Sequence, residues 1–298
     1  MVKMKKVITI TLAVILLAVG IMSGCAKQQD NIVRIGHKNY TEQRLTGQML
    51  SVLIENKTDY KTEVTEFGGT MLCFEALKKG EIDVYPEFTG TAYGAILNQT
   101  EVLGQQETYD YVKKEFEDQF NITWLNEMGW NNTYILSVTA ETAEALGIST
   151  VSELVPHASD MIMGCDNEFL GRSDGLPGLK EAYGITFKQE MPMDQGLTYA
   201  ALRDGQIDVN VSFSTDGRIA KLNLLNLADD KQFFPPYYVA PIMNQDYANE
   251  NAVIVSTLNL LNGKFTDEDM QKYNLLVDEG GDPKEVATKA LKDKGLIE

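Results

Sequence analysis

Residues 76–90 of this chain read ALKKGEIDVYPEFTG, and residues 201–215 repeat the pattern as ALRDGQIDVNVSFST. Both stretches contain Ala-Leu, a basic residue, a glycine and Ile-Asp-Val. Each places a phenylalanine five residues after its aspartate, at Phe88 and Phe213. Both are predicted to be a helix that ends at the glycine, followed by a short apolar strand, because glycine tolerates a left-handed helix cap.

Two such units would place their phenylalanines close together. In open α/β sheets, ligands bind beyond the carboxyl ends of the strands. One unit in each of two lobes would therefore direct Phe88 and Phe213 into a single cleft. The alternative is a chance match, because helix, glycine and strand follow one another in many α/β proteins.

Short apolar runs alternate with helical periodicity from Ile32 to about Leu227, which predicts parallel α/β sheets. The predicted strands are 32–36, 63–67, 82–85, 122–125, 161–165, 186–189 and 207–211, and the predicted helices are 41–55, 70–79, 112–120, 176–183 and 196–204.

The last sixty residues instead predict a helical C-terminal tail, with helices at 252–261, 267–277 and 283–296. Asp282 is a typical N-cap and Pro283 suits the first helical position. We expect an α/β protein of two lobes joined by a hinge, which the chain crosses near Thr133 and Val239. The predicted division is lobe 1 at 32–133, lobe 2 at 134–239, and a return to lobe 1 at 240–298.

The N-terminus has the features of an export signal. Three lysines precede an apolar run, residues 7–21, that is too short to span a membrane comfortably. The run leads to Cys25 and resembles the lipobox of bacterial lipoproteins, although Met22-Ser-Gly departs from the usual leucine three residues before the cysteine. Residues 1–24 are therefore predicted to be a signal peptide, and residues 25–31 a tether lipid-anchored through Cys25. An ordinary secretory signal with a chance cysteine is the alternative.

The formal net charge is −17, and loss of the leader lysines makes the chain more acidic. Such a charge argues against nucleic acid as a partner and against adsorption on anionic lipid. It suits a protein body tethered on the outer face of a cell membrane. Cys73 and Cys165 lie in apolar stretches of different lobes, so both are predicted to be buried apolar residues rather than a disulfide.

Nothing in the sequence indicates catalysis. The two histidines, His37 and His157, belong to no metal or nucleophile motif, and no phosphate-binding loop is present. We therefore predict no catalytic residue, no metal and no cofactor.

Aromatic residues concentrate next to predicted strand ends and turns. Several rings around one point form a site for a quaternary ammonium group through cation–π attraction. The alternative is that most of these rings seal the hinge and the lobe edges. They are Tyr85, Phe88, Trp130, Tyr134, Phe213, Phe233, Phe234, Tyr237 and Tyr238.

Six segments in order resemble the substrate-binding lipoproteins of osmoprotectant ABC importers, whose members bind glycine betaine, carnitine, choline and similar quaternary amines. These segments are KNYTEQ (38–43), ALKKGEIDVYPEFTGT (76–91), NNTY (131–134), EFLGRSDG (168–175), FSTDG (213–217) and FFPPYYVAP (233–241). The resemblance covers essentially the whole mature chain and implies a two-lobed, periplasmic-binding-protein-like (type II) fold.

The resemblance also implies roles for individual residues. The aromatic box falls on Phe88, Tyr134, Phe213 and Tyr237, and the end that grips a carboxylate falls on Lys38, Thr91 and Arg172. Further contacts fall on Gln43 and Asn132. Phe88 and Phe213 stand where relatives often have tyrosine, which leaves the exact substrate open. Arg172 could instead pair with Asp166, Glu168 or Asp174 and only order its loop.

The expected function is that of a monomeric solute receptor, anchored outside the cell, that delivers a quaternary ammonium compound to a membrane permease. Binding should close the lobes, because Phe88 and Phe213 come from different lobes. Two other functions stay open at this stage. One is a ligand-sensing lipoprotein, and the other is an extracellular enzyme that acts on a small zwitterion.

Overall fold

The computed structural model describes residues 31–298. Its strands are β1 (Ile32–Lys38), β2 (Lys61–Phe67), β3 (Val84–Phe88), β4 (Ile122–Trp124), β5 (Tyr134–Thr139), β6 (Ile162–Cys165), β7 (Gln189–Pro192), β8 (Val209–Phe213), β9 (Leu224–Asn226) and β10 (Val239–Asn244).

Fourteen α-helical segments accompany these strands in the described residues. They are α1 (Thr41–Lys57), α2 (Thr70–Lys78), α3 (Thr89–Thr91, continued by a π-helical turn at Ala92–Ile96), α4 (Gln105–Phe120), α5 (Ala140–Leu146), α6 (Val151–Ala158), α7 (Asn167–Gly171), α8 (Leu176–Tyr183), α9 (Gln195–Arg203), α10 (Arg218–Lys221), α11 (Gln245–Glu250), α12 (Ala252–Leu258), α13 (Asp267–Asp278) and α14 (Pro283–Asp293).

The strands form two five-stranded sheets, ordered β2-β1-β3-β10-β4 and β7-β6-β8-β5-β9. We call the parts built on these sheets the first and the second lobe. The prediction of parallel sheets is only partly right. In the first sheet β1 and β3 are parallel, but β10 is antiparallel to both of its neighbours. In the second sheet β5 is antiparallel to β8 and β9 in the same way.

Both mixed sheets follow from the way the chain crosses between lobes. The chain leaves the first sheet after β4 and enters the second through β5, and it returns to the first sheet through β10. Each crossing strand is added beside the strand that carries the repeat phenylalanine, with Tyr134 opposite Phe213 and Val239 opposite Phe88. These crossing strands give each sheet its antiparallel half.

The sequence repeat is confirmed as a repeated structure. Gly80 and Gly205 both have φ near +69°, which ends α2 and α9 in the left-handed conformation. The Ile82 side chain lies over Gly36 of β1, and the Ile207 side chain lies over Gly164 of β6. A Cβ atom on either of these strand glycines would come within 2.5 Å of the isoleucine Cδ1, so both close approaches depend on glycine.

The two repeat aspartates also act alike. Asp83 accepts a hydrogen bond from the Arg34 backbone N–H at 2.8 Å, and Asp208 accepts one from the Ile162 N–H at 2.7 Å. Each carboxylate thereby fixes the neighbouring parallel strand. Ile-Asp-Val recurs because the isoleucine and the aspartate each position the adjacent strand.

The C-terminal helices α12, α13 and α14 pack against α1 of the first lobe. The predicted helices at 252–261, 267–277 and 283–296 correspond to them within a few residues. Asp282 caps α14 by accepting from the N–H groups of Lys284 and Glu285, as its place before Pro283 predicts.

Cys73 and Cys165 are both buried, as predicted. In the range 31–298 no helix combines the length and apolar character needed to cross a membrane. The predicted signal peptide and Cys25 lie outside the described residues.

Candidate ligand-binding site

A cavity of about 110 Å³ lies between the two lobes, where strands of both sheets end. Lys38 and Phe88 reach it from the ends of β1 and β3, and Asp166 and Phe213 reach it from the ends of β6 and β8. The carboxyl ends of parallel strands meet at the edge of a sheet, which is where α/β proteins bind ligands. The cavity therefore lies where the repeat predicts the cleft.

Four predicted aromatic residues, Phe88, Tyr134, Phe213 and Tyr237, all line this cavity. The Tyr134 ring centroid is 5.2 Å from that of Phe213 and 5.8 Å from that of Tyr237. A fifth ring, Tyr40, was not predicted and stacks on Phe213 at 5.3 Å. The rings come from both lobes, so the aromatic wall is complete only when the lobes are together.

Other loop aromatics do not reach the cavity. Trp130 is fully buried, and its indole N–H donates to Glu42 at 2.9 Å, so it belongs to the hydrophobic core. The Phe234 ring centroid lies 5.9 Å from that of Tyr134, so Phe234 packs behind the aromatic wall. The prediction that the loop aromatics share one site thus holds for some of them only.

Lys38 lines the cavity but is held within the protein. Its Nζ lies 2.6 Å from Glu87, and both side chains are almost completely buried. Glu87 also accepts from the Phe88 backbone N–H at 2.7 Å and from the Tyr85 hydroxyl at 3.0 Å. This buried pair fixes the end of β3, and the Lys38 ammonium lies 5.6 Å from the Phe88 ring centroid.

Arg172 also lines the cavity, and three neighbours hold it. Its Nε and Nη2 atoms donate to both oxygens of Asp174 at 2.8 and 2.5 Å. Its Nη1 lies 3.3 Å from Glu168, and its Nη2 lies 3.2 Å from the Thr91 hydroxyl. The alternative prediction was that Arg172 pairs with acidic neighbours and orders its loop. Arg172 does pair with Glu168 and Asp174, but it forms no ion pair with Asp166.

Gln43 and Asn132, the two further predicted residues, differ in position. Asn132 lines the cavity, and its Nδ2 donates to Glu42 at 2.8 Å. Gln43 is fully buried behind the wall, where it donates to the Pro86 carbonyl at 2.9 Å and accepts from the Lys38 N–H at 3.2 Å. Gln43 therefore supports the cavity without facing it.

Glu168 was not predicted as a site residue, but it bridges the lobes across the cavity. Its carboxylate accepts from the Thr70 backbone N–H at 2.6 Å and from the Thr70 hydroxyl at 2.5 Å, at the first turn of α2. Burial would raise the pKa of Glu168, but Lys38, Thr70 and Arg172 together hold it below its ordinary value. The sequence indicated Glu168 only through its place in EFLGRSDG and as a possible partner of Arg172.

The histidines lie apart from the cavity. His37 is buried with its Nδ1 atom 2.9 Å from the Lys38 carbonyl oxygen, and burial lowers its pKa. His157 lies in the last turn of α6. Within residues 31–298, no group of three or more histidine, cysteine or acidic side chains is arranged to hold a metal ion.

The chain is similar to known substrate-binding proteins. A family model described as the substrate binding domain of ABC-type glycine betaine transport system matches residues 31–293. The carnitine transport binding protein of Listeria monocytogenes is 35% identical over 260 residues, which cover 86% of this chain and 84% of that protein. The ergothioneine transport permease/ergothioneine binding protein of Helicobacter pylori is 34% identical over 264 residues, or 88% of this chain and 47% of that protein.

A solved structure supports the fold directly. The crystal structure of a glycine betaine/carnitine/choline ABC transporter is 32% identical and matches with a TM-score of 0.73, over 89% of this chain and 100% of that one. This likeness confirms the predicted two-lobed, periplasmic-binding-protein-like α/β fold.

Proposed function

The chain belongs to the family of substrate-binding domains of ABC-type glycine betaine transport systems, and we propose that its cavity binds a quaternary ammonium compound for delivery to an ABC permease. Glycine betaine, carnitine, choline and larger betaines are the candidate ligands. The observation that carries the proposal is the set of aromatic rings, Phe88, Tyr134, Phe213 and Tyr237, that both lobes direct at one cavity.

The size of the cavity suits a compact ligand. A cavity of about 110 Å³ is of the same order as the cavity of roughly 150 Å³ that holds benzene in another protein. Each desolvated cation–π contact contributes about 0.5–2 kcal/mol, and each hydrogen bond to a charged group about 1.5–3 kcal/mol. Four rings and two or three polar contacts give on the order of 8 kcal/mol after losses, which is micromolar binding.

We assign the polar end of the ligand to Lys38, Thr91, Arg172 and Asn132, with Gln43 holding Lys38 from behind. The two bonds to Asp174 fix the guanidinium plane of Arg172. They leave its Nη1 edge, which reaches Glu168 at 3.3 Å, as the donor for which a ligand carboxylate would compete.

The test of the cage replaces single rings with leucine, which is apolar but smaller. Tyr134→Leu should weaken choline or glycine betaine binding by about 1–2 kcal/mol in calorimetry, because leucine has no π face. Tyr237→Leu should weaken it at least as much, because it also removes the hydroxyl that donates to Asp174 at 2.7 Å. Tyr134→Phe is the matched control, since it retains the ring and should bind like the wild type. If the leucine variants also bind like the wild type, the cage is placed wrongly.

The test of the polar end compares two ligands. Arg172→Ala should weaken glycine betaine binding by roughly 1.5–3 kcal/mol, because a charge-assisted contact to the carboxylate is lost. Choline carries no carboxylate and should lose much less. Equal losses for both ligands would mean that Arg172 only orders its loop through Asp174 and Glu168.

The division into lobes and the anchor are part of the proposal. We place lobe 1 at 32–133 and 240–298 and lobe 2 at 134–239, and the strands of the two sheets divide at these boundaries except that β10 of the first sheet begins at Val239. We also propose that Cys25 is lipidated, which would hold the receptor at the outer face of the membrane. A fatty-acid label that persists in a Cys25→Ala protein would contradict the anchor.

A further inference from the structure

The second residue of α1, Glu42, is a buried carboxylate without a counterion. It belongs to the KNYTEQ segment but lies outside the predicted ligand contacts. Glu42 is 3% exposed, and none of the ion pairs among residues 31–298 includes it. Four neutral donors surround it instead. They are Trp130 Nε1 at 2.9 Å, Asn132 Nδ2 at 2.8 Å, Thr215 Oγ1 at 2.5 Å and Asn274 Nδ2 at 2.9 Å.

These four donors come from three different parts of the molecule. Trp130 and Asn132 belong to the segment that crosses between lobes, and Asn274 belongs to α13, which packs on α1. Only Thr215 belongs to the second lobe, two residues after Phe213 at the end of β8. The bond between Thr215 and Glu42 is therefore the one contact of this carboxylate that spans the two lobes.

A buried charge is stable only when its oxygens are fully hydrogen-bonded. The N-terminus of the 17-residue helix α1 adds a favourable dipole to Glu42. Even so, burial raises the pKa of Glu42 above its ordinary value, and the four donors only partly offset the rise. Separation of the lobes would remove the Thr215 donor and leave the Oε2 atom of Glu42 with Asn274 as its one donor.

Two of the donors connect Glu42 to the cavity. Asn132 lines the cavity while donating to Glu42. Thr215 is 1% exposed and lies in the loop that follows Phe213 at the end of β8. The Asn274 amide donates both to Glu42 and to the Thr215 carbonyl at 3.0 Å, which holds that loop against α13.

We propose that Glu42 is a positioning residue that stabilises the closed lobes and thereby completes the ligand cavity. It acts through Asn132 and Thr215 and does not contact the ligand. The inference rests on the proposed function for the identity of the ligand, but the closure that it describes can be measured without one.

The experiment removes the one bond that joins Glu42 to the second lobe. Thr215→Val deletes the hydroxyl at nearly constant volume, and Thr215→Ser is the matched control that keeps it. In calorimetry with choline and glycine betaine, Thr215→Val should bind about 10- to 100-fold more weakly than the wild type, because a hydrogen bond to a buried charge is lost. Thr215→Ser should stay within about threefold of the wild type.

A distance measurement separates closure from general damage. Fluorophores attached to Gln119→Cys on α4 and Glu144→Cys on α5, both exposed, report the distance between the lobes. In the ligand-free protein, Thr215→Val should shift the distribution toward open distances, whereas Thr215→Ser should not. Glu42→Gln, if it folds, should shift the distribution in the same direction.

The outcomes are distinct. If Thr215→Val keeps both the affinity and the distance distribution of Thr215→Ser, the role of Glu42 is refuted. If the wild type binds no quaternary amine, the proposed function fails, and the ligand-free distances still decide whether Glu42 stabilises closure.

Discussion

The two repeat units, residues 76–90 and 201–215, share a backbone frame but differ in their surroundings. Both end a helix at a left-handed glycine, both set an isoleucine over a strand glycine, and both fix the neighbouring strand with an aspartate. Phe88 is 3% exposed and adjoins the buried pair of Lys38 and Glu87, whereas Phe213 is half-buried and stacks on Tyr40. The residues that build the sheet are thus repeated, and the residues around the ligand cavity have diverged.

The largest expected difference concerns the two phenylalanines. Phe88→Ala should lower the free energy of unfolding by about 3–5 kcal/mol, because a fully packed ring leaves a cavity. Phe213→Ala should lower it by only about 1.5–3 kcal/mol, since that ring is half-buried. Urea denaturation of the ligand-free proteins measures both, and equal losses would show that the two rings are packed alike.

The two repeat aspartates should differ less than the phenylalanines in their contribution to the free energy of unfolding. Asp83 is 4% exposed and accepts from the Arg34 N–H and also from its guanidinium, at 3.1 and 2.5 Å. Asp208 is exposed and accepts from the Ile162 N–H. Asp83→Ala should therefore lower the free energy of unfolding by about 2–3 kcal/mol, and Asp208→Ala by about 1 kcal/mol.

The control for this pair is Arg34→Met, which keeps the aliphatic part of the side chain. In an Arg34→Met background, Asp83→Ala should lower the free energy of unfolding by nearly as little as Asp208→Ala does. A double-mutant cycle of Arg34→Met and Asp83→Ala measures this coupling. An additive cycle would mean that the guanidinium does not stabilise Asp83.

Substitution of the two helix-ending glycines should lower the free energy of unfolding least, and by the same amount at both sites. Gly80 and Gly205 have φ near +69°, and an added Cβ would meet no atom within 4 Å at either position. Gly80→Ala and Gly205→Ala should each lower the free energy of unfolding by about 1–2 kcal/mol through backbone strain alone. Asparagine tolerates this conformation better and should cost less at both sites. Clearly unequal losses would show that the two helix ends are not equivalent.

The repeat and its helix, glycine and strand could be predicted because they depend on local sequence. The direction of β5 and β10 could not, because an apolar run does not reveal which strand it will pair with. The strand predicted at 186–189 forms instead at Gln189–Pro192, where pairing with β6 rather than local preference sets its limits.

The candidate site could likewise be predicted in part. Aromatic residues at strand ends indicated the cavity, and the family resemblance supplied positions that line it, with Gln43 just behind. Tyr40, Glu42 and Glu168 were missed because their roles depend on contacts between the lobes. Such contacts join residues far apart in the chain, and no local pattern marks them.

The position of β10 has a consequence for the order in which the molecule can be completed. All strands of the second sheet lie within residues 134–226, so the whole sheet is available once that stretch has been synthesised. The first sheet lacks an interior strand until residues 239–244 emerge, because β10 joins β3 to β4. The pairing of β10 with β3 spans more than half of the chain, and contacts between residues so far apart in the sequence form slowly. The first sheet therefore cannot be completed before residues 239–244 are available, whereas the second sheet can be completed once residue 226 is available.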